Sequence, residues 1–120
     1  MGVLQTSVLD SPEMSSERPL ADQVAVVTGG GTGIGLAIAR RLGLDGASLV
    51  LASRNVDHLT AGERALQSDG VPVLTVPTDV RDPVQVDALV ERAVAEFGRV
   101  DILVNNAAGN FICRAEELSP

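Results

Sequence analysis

One stretch constrains the fold of this chain above all others: Val24-Ala-Val-Val-Thr-Gly-Gly-Gly-Thr-Gly-Ile-Gly35. An apolar strand ends in a glycine turn and passes directly into an amphipathic helix, expected over Ile34 to Leu42. That order sets unpaired backbone amides and a helix N-terminus at the carboxyl end of a strand. Such a turn can receive a diphosphate, because the amides and the positive end of the helix dipole both favour an anion. Gly29, Gly33 and Gly35 lack a Cβ, which permits a tight turn and close approach of the anion to the backbone. The competing reading is a glycine turn with a purely structural role. A P-loop is excluded, since it requires Gly-Lys-Ser/Thr and the chain has no lysine.

What the chain lacks narrows the function as much as what it contains. In 120 residues there is no tyrosine, all nine basic residues are arginine, and the formal net charge is −7. Nucleic acid would be repelled by that balance. The nearest approach to a basic cluster, Arg40-Arg41, lies on a predicted helix without aromatic neighbours and reads as a solvated face. Cys113 is the single cysteine, so neither an intramolecular disulfide nor a cysteine-based zinc site can form, and a partly buried, inert thiol is expected. His58, the only histidine, is expected at the surface, and no metal site is expected. No segment reaches the roughly 20 apolar residues that span a bilayer, and the N-terminus lacks the basic and apolar regions of a secretory signal. The expectation is a soluble, cytoplasmic protein with no membrane or nucleic-acid partner.

Residues 1–20 carry scattered Ser, Pro, Glu and Asp without periodicity and read as a disordered tail, with Met14 a possible alternative start. From Asp22 onward, strand and helix signals alternate. Val24–Thr28 is a buried strand, followed by a helix bearing Ile34, Ala37, Ile38 and Leu42 and closed by Gly43 and Gly46. Ser48–Ala52 is a second strand. Asn55 can cap a helix running toward Gly70, with Val56, Leu59 and Leu66 on its inner side. Val71–Thr78 is a third strand whose Pro72 and Pro77 suit an edge. Asp82-Pro83 supplies an N-cap and an N1 proline. Val86, Leu89, Val90, Ala93, Val94 and Phe97 then form a helical stripe ended by Gly98. Ile102–Asn105 is a fourth strand.

The pattern is βαβαβαβ, an α/β class with a doubly wound parallel sheet. Right-handed crossovers give the order 3-2-1-4, incomplete as a Rossmann-type sheet. The switch point falls between the first and fourth strands, so Gly29–Gly35 and Asn105–Gly109 should face one crevice. The chain ends on a helix-start signal, Ser119-Pro120, and Ile102–Asn105 would be a bare apolar edge, an aggregation liability. Residues 21–120 therefore read as the amino-terminal half of a longer protein.

The strict Gly-x-Gly-x-x-Gly fingerprint is replaced here by Thr28-Gly-x-x-x-Gly-x-Gly35. With Thr78-Asp79-Val80 and Asp101-Ile-Leu-Val-Asn-Asn-Ala107 in register, the chain resembles the short-chain dehydrogenase/reductase family from Gln23 to at least Gly109. The resemblance implies that Gly29, Thr32, Gly33, Ile34 and Gly35 form the cofactor turn. It places Asp79 and Val80 against the adenine ring and assigns Asn106 and Ala107 to the turn after the fourth strand. The family's usual turn is Asn-Asn-Ala-Gly. The extended form here, Asn105-Asn-Ala-Ala-Gly-Asn-Phe111, followed by Ala115-Glu-Glu-Leu-Ser119, is similar to the 2,4-dienoyl-CoA reductase branch. A loop variant without bearing on substrate would look the same.

NAD-preferring members carry an acidic residue at the end of the second strand, where it accepts hydrogen bonds from the ribose 2′-OH. Ser53 and Arg54 stand there instead. A hydroxyl and a guanidinium can bind a 2′-phosphate that a carboxylate would repel, so NADP is the expected cofactor. Arg54 as an ordinary solvated arginine is the alternative. The family's catalytic Tyr-x-x-x-Lys cannot be drawn from a chain with neither residue, so no catalytic residue is assigned. The resemblance implies an oxidoreductase of fatty acid metabolism reducing a 2,4-dienoyl-CoA or enoyl-CoA substrate, homo-oligomeric at full length. The alternatives are another short-chain reductase, acting on a 3-oxoacyl or alcohol substrate, and a non-catalytic dinucleotide-binding fragment.

Overall fold

A computed structural model describes residues 18–106 and the backbone of residues 111–114. Most of the expected tail, together with Ala107, Gly109 and the Cys113 side chain, lies outside the described residues. Leu20 is within them: its amide donates to the Asp45 carbonyl at 2.8 Å, and its side chain packs on the core.

The elements follow in the order β1 (Val24–Thr28), α1 (Gly33–Leu44), β2 (Ser48–Ser53), α2 (Val56–Ser68), β3 (Val73–Pro77), α3 (Pro83–Phe97), β4 (Ile102–Asn105) and β5 (Phe111–Arg114). The sheet order is β3-β2-β1-β4-β5. The first four strands are parallel, with Val26 opposite Val50 on one side and Leu103 on the other. The expected 3-2-1-4 arrangement is therefore present. The proline-bearing β3 lies at an edge, where a missing ladder donor costs least.

The outer side of β4 differs from expectation. It is not bare: β5 pairs with it antiparallel, placing Phe111 opposite Asn105. A parallel neighbour needs a crossover of a dozen or more residues, whereas an antiparallel one needs only a short return. The short span between Asn105 and Phe111 allows the second arrangement alone.

Strand alternation divides the core into two. On one face Ala25, Val27, Leu49, Leu51 and Val104 meet Ala39 of α1 and Leu59 and Leu66 of α2. On the other, Val24, Val26, Val50, Ala52 and Val76 meet Leu89 and Ala93 of α3. Each fully buried aliphatic side chain contributes about 1.5–3 kcal/mol relative to exposure.

The helices depart from simple stripes. In α1 the buried positions are Gly35, Ala39 and Gly43, while Ile34 is 59% exposed. This helix lies too close to its neighbours for larger residues. A Cβ on Gly43 would come within 2.7 Å of the Val71 side chain, and one on Gly35 would collide with the Gly29 carbonyl. Gly43 is thus a packing residue inside the helix rather than its terminator. Asn55 caps α2 as expected, its side-chain oxygen accepting from the His58 amide at 3.1 Å. Val56 is exposed, because the first helical position precedes the turn that reaches the sheet. Asp82 caps α3 through the Val84 amide, and Gly98 ends it in a left-handed conformation.

Candidate dinucleotide site

The carboxyl ends of β1, β2 and β4 converge on the glycine turn. Gly29 donates its amide to the Ala52 carbonyl at 2.7 Å, which ties the start of the turn to the end of β2. Its φ of +68° and the +56° of Gly33 lie in the left-handed region, where a side chain is disfavoured. Asn106 Nδ2 donates to the Gly29 carbonyl at 3.4 Å, and the buried Thr28 hydroxyl donates to Asn105 Oδ1 at 3.1 Å. The first and fourth strands therefore close one crevice, as the switch-point argument requires. That crevice is described as far as Asn106.

The turn is packed from beneath by contacts that sequence reading did not anticipate. The Leu51 side chain occupies the space left by the missing side chains of Gly30 and Gly62. A Cβ on Gly31 would collide with the His58 carbonyl at the start of α2, so the turn and that helix are in direct contact. The consecutive glycines Gly29-Gly30-Gly31 were the only available signal, and their packing roles need the fold to be seen. By contrast, a Cβ on Gly33 would meet nothing within 4 Å. Thr32, Gly33 and Ile34 are all exposed at the mouth of the turn. Thr32 is the N-cap of α1 but makes no side-chain capping bond, so its hydroxyl leaves the first-turn amides unclaimed.

A second group gathers on the β2–β3 side. Ser53, Arg54, Asp79 and Val80 line one cavity of about 330 Å³ together with Gly29, Ala52, Asn55, Thr78 and Arg81. The Ser53 hydroxyl accepts from the Asn55 amide at 3.0 Å, which orients its oxygen and leaves its proton for an anion. Arg54 is exposed and makes no ion pair among the described residues. The Asp79 carboxylate is gripped by Arg81, whose Nε and Nη2 donate at 3.1 Å and whose amide donates at 3.0 Å. Hydrogen bonds from the Arg81 side chain, then from its backbone, lower the Asp79 pKa to about 2. Arg81 was not among the expected site residues, although the Asp-x-Arg spacing was legible.

Of the expected cofactor residues, Gly29 thus joins two clusters. Gly35 and Asn106 lie with it on the β4 side, Ser53, Arg54, Asp79 and Val80 on the β2–β3 side, and Thr32, Gly33 and Ile34 at the mouth. The chemistry suits a long, phosphate-rich ligand laid across strand ends: amides for a diphosphate, a cationic cavity for one terminus. Among the described residues no group of three metal-ligating side chains comes together.

Residues 23–120 match the family model for short chain dehydrogenases. The chain belongs to that family. Among solved short-chain dehydrogenases, one from Burkholderia phymatum in complex with NAD superposes with a TM-score of 0.69 and 38% identity, over 71% of this chain and 30% of that one. An actinorhodin polyketide ketoreductase with NADPH gives 0.68 and 42%, over 70% and 32%. A peroxisomal 2,4-dienoyl-CoA reductase of Danio rerio is 48% identical over 101 residues, 83% of this chain and 34% of that protein. The chain spans about a third of the length of the curated relatives it matches. The family is one of oxidoreductases that bind a nicotinamide dinucleotide, and the resemblance to the dienoyl-CoA reductase branch is carried by that identity. No helix among the described residues is long and apolar enough to cross a membrane.

Proposed function

We propose that residues 21–120 form the NADP-binding half of a short-chain reductase that reduces 2,4-dienoyl-CoA or enoyl-CoA thioesters in fatty acid metabolism. The observation that carries the cofactor assignment is the end of β2. A hydroxyl and a guanidinium stand there beside a cavity, where a carboxylate would select the free ribose 2′-OH. The residues fit such a ligand. Gly29, Gly33 and Gly35, with Thr32 and Ile34, would present backbone to the diphosphate. Ser53 and Arg54 would hold the 2′-phosphate, Asp79 and Val80 the adenine, and Asn106 and Ala107 the approach to the nicotinamide end. The reduced cofactor supplies the hydride when bound. The Thr28–Asn105 and Asn106–Gly29 bonds tie the carboxyl ends of the first and fourth strands together beside the turn.

The substrate assignment rests on the relatives' names and on the extended Asn105–Phe111 turn. Reduction also requires a proton, which the family's tyrosine delivers with a lysine beside it, and this chain contains neither. The 120 residues alone are therefore proposed to bind the dinucleotide without turning it over, as the front of a longer homo-oligomer. That same absence favours the second reading, a dinucleotide-binding module without catalysis. The cytoplasm remains the proposed compartment, on composition. Peroxisomes are the alternative that the relatives' names supply, and fractionation of a tagged protein decides between them.

The test is fluorescence titration with NADPH and NADH. The chain should bind NADPH more tightly, and Arg54→Ala should cut that preference about tenfold or more through loss of charge-assisted bonds. Equal affinity for both dinucleotides in the unaltered chain would overturn the NADP reading. NADPH oxidation with 2,4-hexadienoyl-CoA should be undetectable for the 120 residues. Turnover by them would overturn the binding-only reading.

A further inference from the structure

We propose that Arg81 is a specificity-determining residue: it neutralises Asp79 inside the nucleotide cavity, so that the cavity accepts a 2′-phosphate beside a carboxylate. The inference rests on the NADP reading and adds a residue to it.

The difficulty it resolves is electrostatic. Arg54 and Asp79 line the same cavity, and a dianionic phosphate drawn to the first would be opposed by the second. Two unit charges a few ångströms apart near a surface interact by energies that change affinity severalfold. Arg81 also lines that cavity, and its guanidinium, although the side chain is 73% exposed, is bonded to Asp79. Its Nε bonds one carboxylate oxygen and its Nη2 the other, a fork-on-fork arrangement, and its backbone amide adds a third donor. The other polar neighbours do not duplicate this. Gln85 accepts from the Asp79 amide and donates to Asp82, so it brings no charge to the Asp79 carboxylate. Arg54 acts on Asp79 only through its field. With Arg81 in place the cavity holds two guanidinium groups against one carboxylate and is cationic overall. Without it the charges cancel.

Nε and Nη2 of Arg81 both face Asp79, the group through which it acts on the cavity, so Arg81 is a positioning residue. Its remaining guanidinium donors could meet a phosphate directly, and removal of the Asp79 charge separates that role from shielding. The Asp79 side chain is 26% exposed and that of Arg81 73%, so this is a surface pair and its effect falls as salt rises.

The experiment is calorimetric titration of the 120-residue chain with 2′,5′-ADP and with 5′-AMP, read as the ratio of the two affinities. Using a ratio cancels any general loss of folding or of adenine binding. Arg81→Ala should lower the ratio about fivefold to tenfold at low salt, and less at high salt. Arg81→Ala combined with Asp79→Asn should restore most of it, because the charge to be shielded is gone. Arg81→Ala with an unchanged ratio would overturn the proposal. So would a double variant as impaired as the single one, which would make Arg81 a direct phosphate ligand. If the unaltered chain shows no preference for 2′,5′-ADP, the NADP reading falls and this inference with it. A preference that survives Arg81→Ala removes the inference alone.

Discussion

The two faces of the sheet are covered to different degrees. On the face of α1 and α2, Leu49, Leu51 and Leu66 are fully buried, and glycines let both helices approach closely. On the other face α3 buries Leu89 and Ala93 but leaves Val90 and Val94 at 44% and 45% exposure. Beside it opens an apolar cavity of about 460 Å³ lined by Val26, Val86, Leu89, Val100 and Leu103, among others. The expected stripe of α3 is real, but only half of it is used within the described residues. Periodicity reports which side of a helix is apolar. It does not report how much of that side has a partner.

The largest test of this contrast is a pair of truncations. Leu51→Ala, which empties the space shared with Gly30 and Gly62, should cost about 3 kcal/mol in denaturant unfolding. Val94→Ser on the other face should stay within about 0.5 kcal/mol. Comparable losses at both would show that the faces are equally packed.

A smaller effect sharpens the reading of the closed face. Gly35→Ala should destabilise the chain by about 1–3 kcal/mol, since its methyl meets the Gly29 carbonyl and cannot push a backbone atom aside cheaply. It should also weaken dinucleotide binding by displacing the turn. Gly33→Ala meets no neighbour and should cost only the strain of its positive φ, about 1 kcal/mol. The reverse order would mean that the turn, not the helix contact, sets the requirement.

The smallest effect belongs to the rim above both faces. The Asp79 pKa is lowered to about 2 in the folded chain, below the unfolded value of about 3.9. Its ion pair therefore adds stability that is complete above the unfolded pKa and is lost as pH falls through the folded one. The difference in unfolding midpoint between the chain and Asp79→Asn should be constant above about pH 4 and vanish toward about pH 2. A difference that does not change between neutral pH and the acid end would show that the pair does not shift the carboxylate.

Much of the fold was legible because its signals are local. The four parallel strands, the caps at Asn55 and Asp82, and the edge position of the proline-bearing β3 all follow from side-chain chemistry within a few residues. The site was legible in part for the same reason. Ser53-Arg54 and Thr78-Asp79-Val80 are each short runs, and strand pairing between β2 and β3 brings their ends into one cavity. What sequence reading missed depends on distances across the fold. Burial of Gly43 is set by Val71, that of Gly31 by His58, and the occupant of the β4 edge by the short return to β5.

By itself, then, the sequence determined the alternation of strands and helices, the glycine turn and the charge types that surround it. Those properties reside in backbone freedom, hydrophobic period and residue chemistry, which neighbours along the chain already express. Only the tertiary structure decided which apolar faces find a partner and which glycines are irreplaceable. It also decided that Arg81 is bonded to Asp79 inside the cavity that Arg54 lines. These are matters of close approach between segments remote in sequence, where a contact a few tenths of an ångström too short costs more than any local propensity supplies.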